Sequence, residues 1–544
     1  MIIRQVILLT IFIFLLSCGS GNQTISTIVK IENGSIKGLQ EGDLKKFLGI
    51  PYAEPPVGKL RWAPTFPVKN WEGIKSSEYN SKICYQPKQM AEFYDRAPDI
   101  EDMSEDCLTL NVWTRAVSKE EKLPVMVWFH GGALVWGSGS QYSGEELTKK
   151  GIILVTVNYR LGPLGFFSHP ELSKETGTSG NQGFKDQIES LRWVKANITQ
   201  FGGDPNNVTI FGESAGSWSV NVLQASPWAK GLFNKVIGQS GARLIPLTHL
   251  TQSAPYSDSA EQLGLDLSQV MSQTSNPNLD NLRNLSPIEI IRNIEKDPLY
   301  STQFDSLTII DGEVIPEDIS LIFKKGNQAN VPVLIGSTAD EATTFDPKML
   351  NPGIAAVSYK ELTISSIKDI LPNADQAILD LYPVNNEETA KRSWVDFTTD
   401  AMFTAQMHKW GNLMSTVSSP AFLYLWEWHP SINGSKEYRA FHAAEVPYLF
   451  GQFDMFDLDQ KEEDLEFSQQ MIEMWTNFAK NGNPSTGNII WPEFKNTSKQ
   501  YIILGNTIED EEEGEALKDR EELRLKKVQL INESYDKARV IFEK

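Results

Sequence analysis

The 544-residue sequence is poor in the side chains that bind metals and carry redox chemistry. It has three cysteines and six histidines, and it contains no C-x-x-C pair, no H-E-x-x-H segment and no phosphate-binding P-loop. Those short patterns are the usual signals of zinc sites, thiol redox centres and nucleotide sites. We therefore expect neither a metal nor an organic cofactor.

Positive charge is also scarce. The chain has 50 Lys and Arg against 70 Asp and Glu, which gives a formal net charge of −20 at pH 7. Binding to nucleic-acid phosphates needs a basic surface, so this balance excludes nucleic acid as a partner. The chain also lacks internal repeats and any linker that would divide it, so we expect one large catalytic unit.

Long hydrophobic runs are absent except at the N-terminus. The run from residue 6 to residue 16 is too short to span a bilayer comfortably, but it has the length of a signal-peptide core. It ends in "LLSCGS", which resembles a bacterial lipoprotein signal. On this interpretation residues 1–17 are the signal peptide, Cys18 is the lipidated first residue of the mature chain, and residues 18–28 are a polar spacer. The alternative is an ordinary secretory signal cleaved nearby.

The three cysteines fit an exported protein. Lipidation of Cys18 would leave Cys84 and Cys107 to form a disulfide. Such a bond would close a loop of about two dozen residues, worth about 3 kcal/mol in the chain-entropy model. Disulfides persist outside the reducing cytosol, so we expect a location in the bacterial cell envelope or the medium. The only expected membrane contact is the N-terminal lipid anchor.

Apolar segments with strand and helix periodicity alternate along the chain. An antiparallel pair with a turn at Asn33–Gly34 is predicted near the N-terminus. Alternation of strands with helices predicts a mainly parallel sheet covered on both faces. The polar stretch of about ninety residues between the strands at 232–241 and 331–338 predicts an inserted helical cap region. The other predicted strands are at 108–115, 124–132, 151–160, 206–211 and 421–429, and the predicted helices include 467–482 and a charged C-terminal one at about 515–544.

The segment "TIFGESAGSWSV" makes Ser214 a candidate nucleophile. A G-x-S-x-G match is weak by itself, and a structural serine in a loop is the competing interpretation. Here a predicted strand precedes the motif and a predicted helix follows it, as a nucleophile elbow requires. Gly212 and Gly216 allow the turn to be tight because neither carries a side chain.

The segment "WFHGGALVWGSGS" predicts an oxyanion loop after a strand. Backbone N–H groups of Gly131 and Gly132, with that of Ala215 after the nucleophile, would hold negative charge on a substrate oxygen. His130 belongs to the same motif, and we interpret it as shaping the loop rather than as a chemical group.

Several longer segments together resemble the type-B carboxylesterase family, a branch of the α/β-hydrolase fold. The segments are "FLGIPYAEPPVGKLRW", "EDCLTLNVW", "HGGALVWGSGS", "NYRLGPLGFF", "GNQGFKDQ", "FGGDPNNVTIFGESAGS" and "FHAAEVPYLFG". The resemblance implies a catalytic domain at 29–500, with a mostly parallel central sheet flanked by helices and with helical cap insertions. Residues 501–544 are then expected to be a charged helical extension packed on the same domain.

The remaining catalytic groups are expected in the order serine, acid, histidine. Asp340 and Glu341 both follow a predicted strand, and the family pattern Asp-Glu-Gly implies Glu341, although Ala342 replaces the glycine here. From the residues alone His429 remains a candidate base because it ends a strand. The resemblance of "FHAAEVPYLFG" implies His442 instead.

Glu213, directly before the nucleophile, resembles the buried acid that tunes the active-site field in this family. The predicted function is hydrolysis of a small-molecule carboxylic ester through an acyl-enzyme intermediate. No tryptophan lies between Cys84 and Cys107, where cholinesterases hold quaternary ammonium, so we expect uncharged esters with short or medium acyl chains. The alternatives are a lipase for long-chain esters, hydrolysis of an amide or thioester, and a non-catalytic adhesion or scaffold member of the fold.

Overall fold

The computed structural model describes residues 25–542 except for 88–98, 256, 298–307, 351, 372, 375, 433–437 and 506–510. The predicted signal peptide, Cys18 and residues 18–24 of the polar spacer lie outside the described residues. None of the described helices combines the length and the hydrophobicity of a membrane-spanning segment.

Within the described ranges the strands form one large sheet and three small ones. In chain order they are β1 Ile28–Ile31, β2 Gly34–Lys37, β3 Leu39–Glu41, β4 Leu44–Pro51, β5 Ile74–Ser76, β6 Ile83–Cys84, β7 Met103–Ser104, β8 Thr109–Thr114, β9 Leu123–Phe129, β10 Ile153–Val157, β11 Gly203–Glu213, β12 Lys235–Gln239, β13 Thr248–His249, β14 Ile309–Ile310, β15 Val333–Thr338, β16 Ala421–Trp426 and β17 Ile502–Leu504. The large sheet has ten strands in the order β17-β16-β15-β12-β11-β9-β10-β8-β4-β3.

The seven strands from β17 to β10 in that order run parallel, and β8, β4 and β3 add antiparallel pairs at one edge. The parallel strands are apolar on both faces, as strands covered by helices on both sides must be. Every residue of β10, β12, β15 and β16 is buried. The predicted α/β-hydrolase architecture is therefore confirmed.

Helices cover the sheet and build the cap region. In chain order they are α1 Glu145–Lys149, α2 Gly162–Phe166, α3 Pro170–Thr176, α4 Gln182–Asn197, α5 Ala215–Ala225, α6 Ala260–Ser272, α7 Leu279–Arg283, α8 Pro287–Glu295, α9 Ile319–Lys324, α10 Pro347–Leu350, α11 Tyr359–Ile370, α12 Gln376–Leu379, α13 Glu387–Thr399, α14 Ala405–Met414, α15 Val446–Phe450, α16 Glu462–Asn481 and α17 Glu511–Ala538. A π-helical turn, Asp400–Thr404, joins α13 to α14.

Most predicted boundaries differ from the observed ones by a few residues, and two of these differences have a clear cause. The first turn consists of residues 32 and 33, because Gly34 already pairs with Ile31 across the β1–β2 ladder. The helix predicted at 467–482 begins at Glu462, since its first turn is acidic and lacks the apolar periodicity on which the prediction rested. Neither difference changes the topology.

The chain beyond residue 500 is in contact with the rest of the molecule. Strand β17 extends the central sheet by pairing with β16, so a boundary at residue 500 falls just before a strand of that sheet. Helix α17 contacts α14 through Lys409 Nζ, which lies 2.7 Å from Asp536 Oδ1. A buried ion pair joins Arg539 to Asp318.

Cys84 and Cys107 form a disulfide, with their Cα atoms 5.1 Å apart. The bond anchors a segment that also contacts the predicted oxyanion loop. Gln86 accepts a hydrogen bond from Gly137 N at 2.8 Å and donates one to Gly137 O at 3.1 Å. The disulfide segment therefore helps to fix the loop that carries Gly131 and Gly132.

Candidate active site

Ser214 lies at the junction between β11 and α5. Its backbone has φ 56° and ψ −123°, a conformation that is strained for a residue with a side chain. Two hydrogen bonds hold the turn: Ser214 N donates to Gln239 O at 2.8 Å, and Ser214 O accepts from Trp218 N at 2.9 Å. A strained serine held in this way matches the geometry of a nucleophile elbow.

The glycines on either side of Ser214 are sterically required. A Cβ on Gly212 would lie 2.6 Å from Phe129 O, and one on Gly216 would overlap the same carbonyl oxygen. Strand β11, helix α5 and the end of β9 therefore meet at backbone contact distance. The tight turn predicted from the G-x-S-x-G spacing has this physical cause.

The segment after β9 lies directly against the serine. A Cβ on Gly131 would lie 2.9 Å from Glu213 Oε2 and 3.2 Å from Ser214 Cβ. Gly132 has φ 97°, and its carbonyl accepts hydrogen bonds from Val135 N at 2.8 Å and Trp136 N at 3.0 Å. These two hydrogen bonds close the turn, and they use the carbonyl oxygen of Gly132 within the loop.

The three predicted oxyanion donors have unused hydrogen-bonding capacity. No described residue accepts a hydrogen bond from the backbone N–H of Gly131, Gly132 or Ala215. The Ser214 side chain makes no capping hydrogen bond to α5 either, so it does not accept a hydrogen bond from the first N–H of that helix. Backbone N–H groups without acceptors, next to a strained serine, are suited to hold an oxyanion.

His130 is buried and structural. Its ring stacks on Tyr159 with centroids 4.4 Å apart, and its carbonyl accepts a hydrogen bond from Tyr159 Oη at 2.7 Å. Burial lowers the pKa of His130 to about 4, so it is neutral at neutral pH. These contacts agree with a loop-shaping role.

His442 and Glu341 form a buried pair. His442 Nδ1 lies 2.6 Å from Glu341 Oε2, and the other carboxylate oxygen of Glu341 accepts a hydrogen bond from Thr338 N at 2.8 Å. Glu341 is completely buried and begins the short 3-10 helix that follows β15. The carboxylate can therefore fix the orientation of the imidazole and stabilise its positive charge.

A second carboxylate faces the other nitrogen of the same ring. His442 Nε2 lies 3.1 Å from Glu213 Oε1. Burial lowers the pKa of His442, but the negative charges of Glu213 and Glu341 outweigh burial and raise the pKa to about 9. The resting site therefore favours an imidazolium held between two carboxylates.

Residues 25–524 match the model of the carboxylesterase family. The chain is 35% identical over 509 residues to a para-nitrobenzyl esterase of Bacillus subtilis (strain 168), an alignment that covers 90% of this chain and 97% of that protein. It is 33% identical over 482 residues to a fumonisin B1 esterase of Sphingopyxis macrogoltabida, an alignment that covers 85% of this chain and 84% of that protein. A solved structure of a PNB esterase superposes with a TM-score of 0.77 at 32% identity, over 92% of this chain and 99% of that one.

The chain belongs to the carboxylesterase family. It is a carboxylic ester hydrolase with the α/β-hydrolase fold. The predicted family resemblance is thereby confirmed.

Asp340 and His429, the alternative acid and base that the sequence left open, lie elsewhere in this carboxylesterase. Asp340 does not reach the imidazole of His442 and instead pairs with Arg392, whose Nη1 lies 2.7 Å from Oδ1. His429 is half exposed, and its Nε2 lies 3.9 Å from Asp340 Oδ2. Glu341 and His442 are thus brought together next to Glu213, whereas Asp340 and His429 face a separate cavity.

Sequence reasoning missed a third buried acid of this carboxylesterase site. Glu445 is completely buried, and its Oε1 accepts a hydrogen bond from Gln239 Nε2 at 3.2 Å. Burial and the negative charges of Glu213 and Glu341 raise the pKa of Glu445 to about 8. Its position three residues after His442, in the same motif, was the available signal.

Two aromatic rings that were also missed pack against His442. Phe403 lies 4.7 Å from the imidazole and Phe345 5.1 Å, measured between ring centroids. Phe403 belongs to the π-helical turn, and irregular turns of this kind are frequent at functional sites. The rings exclude water from one side of the base and so strengthen its interaction with the carboxylates.

Proposed function

We propose that this carboxylesterase hydrolyses uncharged esters through Ser214, His442 and Glu341, by way of an acyl-enzyme. The observation that carries the proposal is the buried Glu341–His442 pair. Its outer nitrogen lies 3.1 Å from Glu213, the neighbour of the strained Ser214. The arrangement supplies a nucleophile, a base and an orienting acid in the order that the fold requires.

The first chemical step would form the acyl-enzyme. Neutral His442 takes the proton of Ser214 as Oγ attacks the ester carbonyl, and Glu341 stabilises the resulting imidazolium. The carbonyl oxygen becomes negative and accepts hydrogen bonds from the N–H groups of Gly131, Gly132 and Ala215. His442 then gives its proton to the leaving alcohol.

The second step would release the acid. Water donates a proton to His442 as its oxygen attacks the acyl carbonyl, and the same N–H groups hold the second oxyanion. Collapse of that intermediate returns the proton to Ser214 Oγ. In the described part of the chain no residue forms a hydrogen bond with Ser214 Oγ, so His442 Nε2, which lies 3.1 Å from Glu213, has to come within hydrogen-bond reach of Oγ when substrate binds.

The charges around the site favour uncharged substrates. Two buried carboxylates, those of Glu213 and Glu341, flank the base, so an anionic acyl group next to it would be repelled. Cation binding by a tryptophan in the segment closed by the disulfide is not available to this chain. Uncharged esters with short or medium acyl chains are therefore the proposed substrates.

A para-nitrophenyl ester series tests this proposal. The rates of hydrolysis of the acetate, butyrate, octanoate and palmitate esters are measured for the mature protein and for Ser214→Ala. Ser217→Ala, a buried serine on the same helix whose hydroxyl bonds to Gly241 O, is the matched control. We expect activity to peak at a short or medium chain, to collapse in Ser214→Ala and to stay within a few-fold in Ser217→Ala.

Other outcomes of this series would favour a lipase or a mechanism that does not use Ser214. A peak at palmitate that is lost in Ser214→Ala would assign the chain to long-chain substrates, as in a lipase. Equal activity of Ser214→Ala and the parent protein would remove the serine from the mechanism.

We also propose that the protein is exported and anchored to a bacterial membrane through a lipid on Cys18. The support is the "LLSCGS" segment together with the Cys84–Cys107 disulfide, a bond typical of oxidising compartments. Cys18→Ala should move the protein from the detergent phase to the aqueous phase in a phase-partition assay, while Ser20→Ala should leave it in the detergent phase. Partition of both variants into the detergent phase would contradict lipidation at Cys18.

We further propose that residues 29–500 form the catalytic domain and that residues 501–544 are packed on it as an extension. The pairing of β17 with β16 and the contacts of α17 with α14 support this organisation. A chain ending at residue 505 should therefore unfold at a lower temperature than the full chain in a calorimetric scan. Identical unfolding temperatures would contradict the proposal.

A further inference from the structure

A polar cavity of about 450 Å³ lies beside the acid loop of the triad. Its lining includes Ala339, Glu427 and Gly505, the residues that follow β15, β16 and β17. In parallel α/β sheets, ligands bind outside the carboxyl ends of the strands. The volume is in the range of sites that hold small molecules.

Two pairs of arginines line this cavity, and each pair shares one buried carboxylate. Arg392 Nη1 lies 2.7 Å from Asp340 Oδ1, and Arg439 Nε lies 3.3 Å from Asp340 Oδ2. The side chain of Asp340 is 1% exposed, whereas those of Arg392 and Arg439 are 44% and 47% exposed. The carboxylate therefore forms the floor, and the guanidinium groups extend from it toward solvent.

The second pair repeats this arrangement from the C-terminal helix α17. Arg520 Nη2 lies 2.8 Å from Glu427 Oε2, and Arg524 Nη2 lies 3.7 Å from Glu427 Oε1. Glu427 is buried, while the side chain of Arg520 is 47% exposed. The cavity thus has two cationic ends, each held in place by its own buried acid.

The concentration of positive charge is unusual for this chain. Four of its 14 arginines line the cavity, in a protein whose net charge is −20. Among the residues that the structure describes, the acids of the lining are Asp340, Glu427 and Glu463, and no lysine belongs to it. Burial lowers the pKa of His429, so this residue adds no charge at neutral pH. Four cations against three anions leave the described part of the lining positive.

The guanidinium groups also retain unused donors. In the described part of the chain, no residue accepts a hydrogen bond from either terminal nitrogen of Arg439, from Arg392 Nη2 or from Arg520 Nη1. A guanidinium offers five N–H donors in a planar fork that matches the oxygens of carboxylates and phosphates. The donors of the two ends can therefore bind a ligand in addition to the floor carboxylates.

We propose that this cavity binds a small anion with at least two oxyanion groups, carboxylate or phosphate, one at each arginine pair. The site is distinct from the ester site, because its floor is Asp340 and Glu427 rather than the carboxylates around His442. Charge-assisted, bidentate hydrogen bonds to arginine are among the strongest that proteins make to such groups.

Isothermal titration calorimetry tests the proposal with citrate and pyrophosphate as the two probes. We expect the mature protein to bind at least one of them at low ionic strength, and to bind it more weakly as salt rises. Arg439→Gln and Arg520→Gln should each weaken binding about tenfold or more, the effect of losing one charge-assisted contact. Preference for citrate would identify a carboxylate ligand, and preference for pyrophosphate a phosphorylated one.

Two further variants distinguish specific binding by the arginine pairs from a general effect of the protein's charge. Arg192→Gln is the matched control, since its side chain is also 47% exposed and pairs with a carboxylate, Glu189, at 3.0 Å. It should bind as the parent protein does. Glu463→Gln removes an exposed acid from the lining and should tighten binding several-fold.

The proposal is overturned if neither probe binds at millimolar concentration, or if Arg439→Gln and Arg520→Gln bind as tightly as Arg192→Gln. Circular dichroism establishes that each variant is folded. If an arginine variant does not fold, Glu463→Gln decides the question, and an unchanged affinity in that variant overturns the proposal.

Discussion

Replacement of Glu213 by glutamine isolates the electrostatics of the base. Glu213 Oε1 lies 3.1 Å from His442 Nε2, and both side chains are buried, at 6% exposure each. With an effective dielectric constant of about 20, two unit charges at this separation attract each other by about 5 kcal/mol. Since about 1.4 kcal/mol corresponds to one pKa unit, this attraction could change the pKa of His442 by at most about four. Opposite charges this close usually change a pKa by about 1 to 3.

The direction of the effect follows from the role of the base. His442 must be neutral to accept the proton of Ser214, so kcat/KM falls as pH falls below the pKa of His442. That pKa is raised to about 9 in the parent protein. In Glu213→Gln one negative charge is gone, and the acid limb of the profile should move to roughly pH 6 to 8. The plateau should fall as well, because the imidazolium in the transition state loses a stabilising carboxylate.

The assay is kcat/KM for para-nitrophenyl butyrate between pH 5 and pH 10. Glu445→Gln is the matched comparison, because the charge of Glu445 raises the pKa of His442 less than those of Glu213 and Glu341 do. The acid limb should therefore move less in Glu445→Gln than in Glu213→Gln. A limb that lies at the same pH in Glu213→Gln and in the parent protein would refute the electrostatic reasoning.

Three other substitutions test the framework of the site. Gly216→Ala should abolish activity and lower the unfolding free energy by about 1 to 3 kcal/mol, because the new Cβ overlaps Phe129 O; denaturant unfolding measures the loss. Cys84→Ser opens a disulfide with a sequence separation of 23 and should cost about 3 kcal/mol, measured under non-reducing conditions. Asp318→Asn removes the buried partner of Arg539, leaving it only the more exposed Asp536 at 3.5 Å, and should cost up to about 3 to 5 kcal/mol, with faster proteolysis of the C-terminal helix. Unchanged stability in any of them would contradict the packing described for that residue.

The parts of the fold that the sequence predicted are those that depend on local pattern. The central strands are fully buried and rich in branched residues, so their apolar runs are continuous and easily read. Ser214, Gly131 and His442 lie in contiguous motifs, and each motif requires a specific backbone geometry. The three-residue β17 was missed because a strand of that length leaves no periodicity, and its pairing with β16 is a long-range contact.

The parts that the sequence could not predict depend on contacts between distant segments. Asp340 is next to Glu341 in the chain, yet its partners Arg392 and Arg439 come from α13 and from the loop before His442. The contact of Phe403 with His442 requires the π-helical turn, and no residue pattern in the sequence predicts that turn. Such features follow from tertiary packing and become visible only when the elements are placed together.

Mass spectrometry of the acylated protein tests the central claim most directly. The mature chain is mixed with para-nitrophenyl butyrate, quenched in acid within the first turnover, digested and sequenced by fragmentation. The account predicts a butyryl group on Ser214 in the parent protein and no butyryl adduct in Ser214→Ala. Rapid hydrolysis without an adduct on Ser214, or an adduct on another residue that forms at the rate of turnover, would contradict it.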